Sequence, residues 1–173
     1  MSFILSLLLF SGLNLYFLKD SSDLLVKIQP SIGAEELTLY YSFSGTDWDS
    51  VEVSDETGEF VTVLKSPEEL NVVGLYFVYK DGAIDDNNGE LYLFEVKKSP
   101  RFLLPFSLND LEVMIGQARK KIVSGSHVDE AVMLLDYIDQ MLKIVPVIKN
   151  SPNELKRNIL RVEAEKLRAQ LLR

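Results

Sequence analysis

The 173-residue chain has no cysteine, one histidine and one tryptophan. Without cysteine there is neither a disulfide framework nor a thiolate metal site. A single histidine, His127, excludes a His-rich metal centre and removes the usual general base, leaving carboxylates for that role. No G-x-S-x-G, phosphate loop, dinucleotide fingerprint or metal-ligand cluster occurs. The chain therefore reads as a non-enzyme, with no catalytic residue, cofactor or metal assigned. Glycosidase chemistry needs only two carboxylates, but a domain this small offers no evident cleft for it.

Basic residues are scarce in the first part of the chain. Residues 1–98 carry 17 acidic and 6 basic side chains, a balance of −11, whereas residues 99–173 carry 9 and 12, a balance of +3. The acidic part is a poor match for phosphate backbones. The basic part spreads its charges along helices without interleaved aromatics, so nucleic acid is not expected as a partner. Basic residues are also missing ahead of the one long apolar run, Phe3–Leu18, FILSLLLFSGLNLYFL. Such a run fits the hydrophobic segment of a signal peptide or a short membrane anchor, with Ser11-Gly12 and Ser21-Ser22 as small-residue candidates for cleavage. Residues 1–22 are accordingly expected to be an export segment, cleaved or kept as a membrane attachment through residues 3–18. That implies an extracytoplasmic protein, envelope-bound or secreted. The alternative is a buried N-terminal helix or strand.

Apolar residues make up 47% of the chain and aromatics 10%, enough for a packed core. The most telling stretch is Val72–Val96. Two apolar runs, Val72–Tyr79 and Leu91–Val96, flank a polar connection holding Gly82, Asp85, Asp86, Asn87, Asn88 and Gly89, the pattern of a β-hairpin with a long loop. Ahead of it, Leu24–Gln29, Glu36–Phe43, Val51–Val53 and Phe60–Leu64 alternate as strands between turn signals. In Glu36–Phe43, Leu37, Leu39 and Tyr41 share one face, and Thr38, Tyr40 and Ser42 the other. Short strands at this spacing indicate an antiparallel sandwich of immunoglobulin size over residues 23–98.

The order of features narrows this further. A strand with Tyr40-Tyr41 precedes Trp48; a strand ending at Tyr79 runs into Asp81-Gly82; Asp86-Asn87-Asn88-Gly89 follows; and Tyr92, Phe94 and Val96 close the sheet. Over about 60 residues this resembles the immunoglobulin-like carbohydrate-binding modules of amylolytic enzymes, the starch-binding type. The resemblance implies an α-glucan-like polysaccharide as ligand, held by Trp48, Tyr40 and Tyr79 with polar help from Asp86 and Asn87. Where such modules carry a tryptophan before the D-N-N loop, this chain has Ile84. Physically, a pyranose stacks its apolar face on an aromatic ring while Asp and Asn bond its hydroxyls. The competing reading makes Trp48 a cap on the core and the tyrosines half-buried strand residues. In the acidic loop 81–90 an EF-hand fails, because Ile84 would occupy the first ligand position. A looser calcium site at Asp85 and Asp86, or a plain Asx-rich turn, stays open.

Residues 99–106 read as an apolar connector and residues 107–173 as three helices. Ser107 with Asp110 starts the first, which runs to about Val123 and ends at Ser124-Gly125; Ser126 is expected to cap the second, which Pro146 stops. Ser151, Pro152 and Glu154 start the third, whose apolar positions are Leu155, Ile159, Val162, Leu167 and Leu171. The segment Ala118–Asp136 resembles the turn of a single tetratricopeptide repeat, although one hairpin cannot build that family's peptide groove. His127 reads as a capping or surface residue. The expected class is α+β: an antiparallel immunoglobulin-like β-sandwich followed by a three-helix extension. The expected role is non-catalytic binding or assembly, with a protein partner or a polysaccharide, and with the C-terminal helices available for homo-oligomerisation.

Overall fold

The computed structural model describes residues 12–18, 21–29, 36–55, 58–98 and 101–171. Nine strands and three helices occur among them. In chain order they are β1 (Leu13–Phe17), β2 (Leu24–Ile28), β3 (Glu36–Ser42), β4 (Asp49–Ser54), β5 (Phe60–Leu64), β6 (Val72–Tyr79), β7 (Ile84–Asp85), β8 (Tyr92–Lys98) and β9 (Arg101–Phe106), then α1 (Leu108–Ser124), α2 (Val128–Ile144) and α3 (Pro152–Leu171). One sheet has the order β1-β2-β5 and the other β4-β3-β6-β8-β9, with β7 beside the end of β6. All pairings are antiparallel. Labelled A-B-E and C′-C-F-G, the first eight strands without β7 have the immunoglobulin sandwich order, with no strand D among the described residues. The fold class is α+β, as the strand pattern predicts.

Alternation places the core. Leu37 and Leu39 of β3, Val73, Leu75 and Phe77 of β6 and Tyr92, Phe94 and Val96 of β8 point inward. They meet Leu24, Val26 and Ile28 of β2 and Phe60 and Leu64 of β5 between the sheets. Residues of the opposite parity, Tyr76 and Leu93 among them, face the other way and join a second core with the three helices. The large sheet is therefore the middle of three layers, and β6 is apolar throughout because both of its faces are covered.

Four expectations need correction, the cap of α2 among them. Leu13–Phe17, read as part of an export segment, pairs with β2, and Leu13 is only 3% exposed. Leu13, Leu15 and Phe17 face the core in strand alternation, so this part of the apolar run belongs to the sandwich as the alternative reading had it. Residues 3–11 lie outside the described residues. Among the described residues no helix is long and apolar enough to cross a membrane. The connector is in part a strand: β9 pairs with β8 from Lys98↔Arg101 to Leu93↔Phe106. Its Pro105 is tolerated because β9 lies at the sheet's edge. The polar connection after β6 is also structured, since β7 folds back on Phe77 and Val78 before the chain turns into β8.

The helix starts follow the caps. Ser107 accepts from the Asp110 N–H, and Asp110 accepts from the Ser107 N–H, closing a capping box on α1. Ser151 accepts from the Glu154 N–H at 3.2 Å. The cap of α2 is His127, not Ser126. Its φ is +57°, and its side chain makes no capping bond.

The tail is fastened to the sandwich by the strap after α2, by a polar cluster at Glu95, and by Asn109 of α1, whose Nδ2 donates to Glu90 Oε1. After α2 the chain passes over β6, where Gly74 makes room. A Cβ there would lie 2.7 Å from Pro146 Cβ and 3.2 Å from Leu93 Cδ2. The passing strap is held by Gly45, which donates to the Ile144 carbonyl at 3.1 Å and accepts from the Val147 N–H at 2.9 Å. Further along, the Tyr137 hydroxyl donates to Glu95 Oε2 at 2.9 Å, and Lys97 Nζ lies 2.6 Å from Glu95 Oε1. Burial first, then the Glu95 carboxylate, hold the Tyr137 phenol well above its ordinary value.

Gly74→Ala should lower unfolding stability by about 1–3 kcal/mol, read by urea titration, because the strap must lift off a packed sheet. Tyr137 predicts an alkaline effect. A phenol whose proton is held more tightly in the fold contributes stability that is complete below the unfolded pKa of about 10 and lost as pH rises through the folded value. Urea midpoints should therefore fall above about pH 10, and less steeply in Tyr137→Phe. Tyr41, Tyr76 and Tyr79, also raised by burial, leave a residual slope.

Candidate functional site

The register of β3 and β6 sets Tyr40 opposite Tyr76 on the outer face of the large sheet. Neighbouring strands are about 4.8 Å apart, and the two rings stack at 4.7 Å with an interplanar angle of 5°. Trp48 closes on Tyr76 from the β3–β4 connection, at 5.2 Å and 64°. The indole N–H donates to the Val147 carbonyl at 3.0 Å, so Trp48 belongs to the seam between strap and sheet. Burial, then the neighbouring Tyr40, raise the Tyr76 phenol.

The five sugar-platform candidates therefore separate. Trp48 and Tyr40 belong to one array, joined by Tyr76, which sequence reasoning missed although strand alternation puts it on the same face as Tyr40. Tyr79 has the opposite parity and packs against the inter-sheet core. Its phenol is raised by burial and then by Asp85 and Asp81. Asp86 and Asn87 build the turn into β8. Asp86 Oδ1 accepts from the Gly89 N–H at 2.8 Å, and Asn87 Nδ2 donates to the Leu91 carbonyl at 3.1 Å. Nor do the rings form one plane, because two stand face to face and the third is tilted.

The acidic loop uses its carboxylates for its own geometry. Asp81 accepts from the Ala83 N–H at 2.9 Å, and Asp85 from the Tyr92 hydroxyl at 2.7 Å. Asn87 and Asn88 both take φ of +58°, a conformation asparagine tolerates better than most residues. This is the Asx-rich turn. Among the described residues no group of three acidic or histidine side chains could hold a metal ion. His127 Nδ1 sits 3.0 Å from Glu130 Oε1, in a surface pair to which Lys121 also belongs at 2.6 Å.

The helical tail offers a different kind of surface. Of the positions assigned to the stripe of α3, Leu167 is buried, together with Asn153, Leu160 and Ala164, and Leu171 packs at the margin of that core. Leu155, Ile159 and Val162 are 63%, 52% and 48% exposed. At about 3.6 residues per turn these three lie on the side of α3 away from the packed one. The helix thus has two apolar stripes, and only one is used by the fold. Ion pairs flank the free stripe: Lys156–Glu112 and Arg119–Glu163, each 3.4 Å, toward α1, and Arg161–Glu165 at 3.3 Å on the other side.

Neither a family model nor a curated protein matches this chain.

Trp48→Phe should keep the ring contact with Tyr76 but lose the bond to Val147. The expected cost is about 1 kcal/mol in urea unfolding. In the parent protein, Trp48 fluorescence and far-UV ellipticity should report one coincident transition, since the indole sits where sandwich and tail meet.

Proposed function

We propose that this protein is a non-catalytic binding and assembly component, in which the sandwich is the scaffold and the outer stripe of α3 is a docking face for a protein. The observation that carries this reading is the second apolar stripe. Three large aliphatic side chains at helical spacing are left in solvent, on a helix whose core contacts are complete without them. Helix faces of this kind are recognised by a groove or by another helix through residues spaced i, i+4, i+7. The ion pairs beside the stripe supply the polar rim found around an apolar interface centre. An envelope setting belongs to the same proposal and rests on the apolar residues 3–11.

The polysaccharide reading has less support. Stacking on sugar needs free, coplanar ring faces, whereas Tyr40 and Tyr76 spend a face on each other and Trp48 stands edge-on. The starch-module and tetratricopeptide resemblances add nothing to the choice, since both rest on local pattern.

The test is the size of the native assembly in a gentle extract of the source cells, for the parent chain and for a triple variant, Leu155→Gln, Ile159→Gln and Val162→Gln. The parent should run above monomer size, in the extract or as concentrated purified protein, and the variant at monomer size. The variant's stability should stay within about 0.5 kcal/mol per substitution, since surface positions contribute little. Leu160→Ala, on the packed side, should instead cost about 2–5 kcal/mol. A parent chain that runs as a monomer in the extract and stays monomeric when purified and concentrated to about 300 µM would remove the proposal.

A further inference from the structure

The exposed stripe of α3 has an internal symmetry that points to its occupant. Leu155 lies four residues before Ile159 and Val162 three after it. Two copies of α3 laid antiparallel about an axis at Ile159 would set Ile159 on Ile159 and Leu155 on Val162 of the second copy. The charges follow the same register. Lys156 and Glu163 lie on one flank, three before and four after Ile159. A two-fold axis perpendicular to the helices brings like flanks together, so each Lys156 faces a Glu163 of the other copy. Parallel pairing, with the axis along the helices, would bring opposite flanks together and set Lys156 against the Asn158 side, away from Glu163. On the other flank of the antiparallel pair Asn158 falls opposite Arg161, and Glu154 and Glu165, which meet in the same register, keep Arg157 and Arg161 of their own chain as partners.

We propose that the outer stripe of α3 is covered by the same stripe of a second copy of this chain, antiparallel, with the two-fold axis at Ile159. This rests on the reading of that stripe as a docking face and names its partner. Lys156 and Glu163 already pair with Glu112 and Arg119 of their own chain. The dimer joins these into two four-charge networks, Glu112–Lys156 with Glu163–Arg119 of the second copy, one on each side of the axis. Such networks hold where isolated surface pairs contribute little. A contact between two helices alone stays below the roughly 800 Å² per partner of a standard interface, so the dimer is weak and concentration-dependent.

The absence of cysteine makes the test clean. Ile159→Cys places two thiols at the axis, and mild oxidation should give a covalent dimer quickly. Val123→Cys, on the most exposed aliphatic position of α1, should give it slowly. A mixture of Leu155→Cys and Val162→Cys chains should cross-link to each other faster than either does to itself. Sedimentation velocity of the cysteine-free protein from about 1 to about 300 µM should show a monomer–dimer equilibrium. Lys156→Glu should weaken it by roughly tenfold, and the double exchange Lys156→Glu with Glu163→Lys should restore it, although that exchange breaks both intrachain pairs. A protein that stays monomeric throughout, or cross-links no faster at position 159 than at 123, overturns self-pairing. If the extract then still shows a large assembly, the stripe docks on a different protein. If it shows a monomer, the docking-face reading falls as well.

Discussion

The structure depends on β6 being buried on both faces at once. Its odd-numbered residues, Val73, Leu75 and Phe77, close the sandwich. Of its even-numbered residues, Gly74 lies under the strap, Tyr76 at the margin of the helical core, and Val72 is fully buried. A strand has a side-chain period of two, so a slip of one residue would drive Leu75 into Pro146 and leave Gly74 as a hole in the core. The register with β3 and β8 is thereby specified from two sides. That close approach places the strap, and the strap decides where α2 ends and where α3 can begin.

Most of the helical tail is consequently cover. Leu91 and Leu93 meet Leu111, Ile115, Leu135 and Ile138 in the second core. Without the helices the outer face of β6 and β8 would be a hydrophobic sheet surface in water. The polar fastenings are few but well satisfied: the Gly45 ladder, the Trp48 indole bond, the Tyr137–Glu95–Lys97 cluster and the Asn109–Glu90 bond. No buried side-chain polar atom lacks a partner among the described residues. A tail of about 70 residues reads from the sequence as a large investment in some activity; the second core accounts for the greater part of it by packing alone. What it leaves unexplained is the outer side of α3.

Local signals predicted what local physics decides. Alternation of Leu37, Leu39 and Tyr41 against Thr38, Tyr40 and Ser42 fixes the faces of β3, and the Ser107–Asp110 capping box sets the start of α1 within a residue. Features that depend on a distant partner were not legible. β9 hides behind Pro100 and Pro105, because an edge position excuses a proline and nothing in 101–106 says that it lies at an edge. Part of the N-terminal apolar run became β1 because a strand facing a core and an export segment have similar composition. The candidate ring array lost Tyr79 and gained Tyr76 for one reason, strand parity, which the sequence contains but which matters only once β3 and β6 are known to pair. On α3 the positions 155, 159 and 162 and the positions 160, 164 and 167 both satisfy helical spacing, and which stripe packs is settled by α1 and α2.

That last ambiguity bears on function. A helix anchored to a sandwich by one apolar stripe gains nothing for its own fold from a second. Each large aliphatic side chain moved from water to an interface is worth about 1.5–3 kcal/mol when fully buried, so Leu155, Ile159 and Val162 together are a substantial surplus left in solvent. Scattered exposed aliphatics carry no message, and Ile84, Val113 and Val123 belong in that category. Three on successive turns of one helix, aligned, bordered by charge on both sides and opposite a complete core, form an ordered surface. The ring array on the sheet has the opposite character: its faces and its indole N–H are already engaged within the molecule. Where an aromatic cluster is spent internally and an aliphatic stripe is not, the unsatisfied free energy lies with the stripe, and the site of association should be sought there.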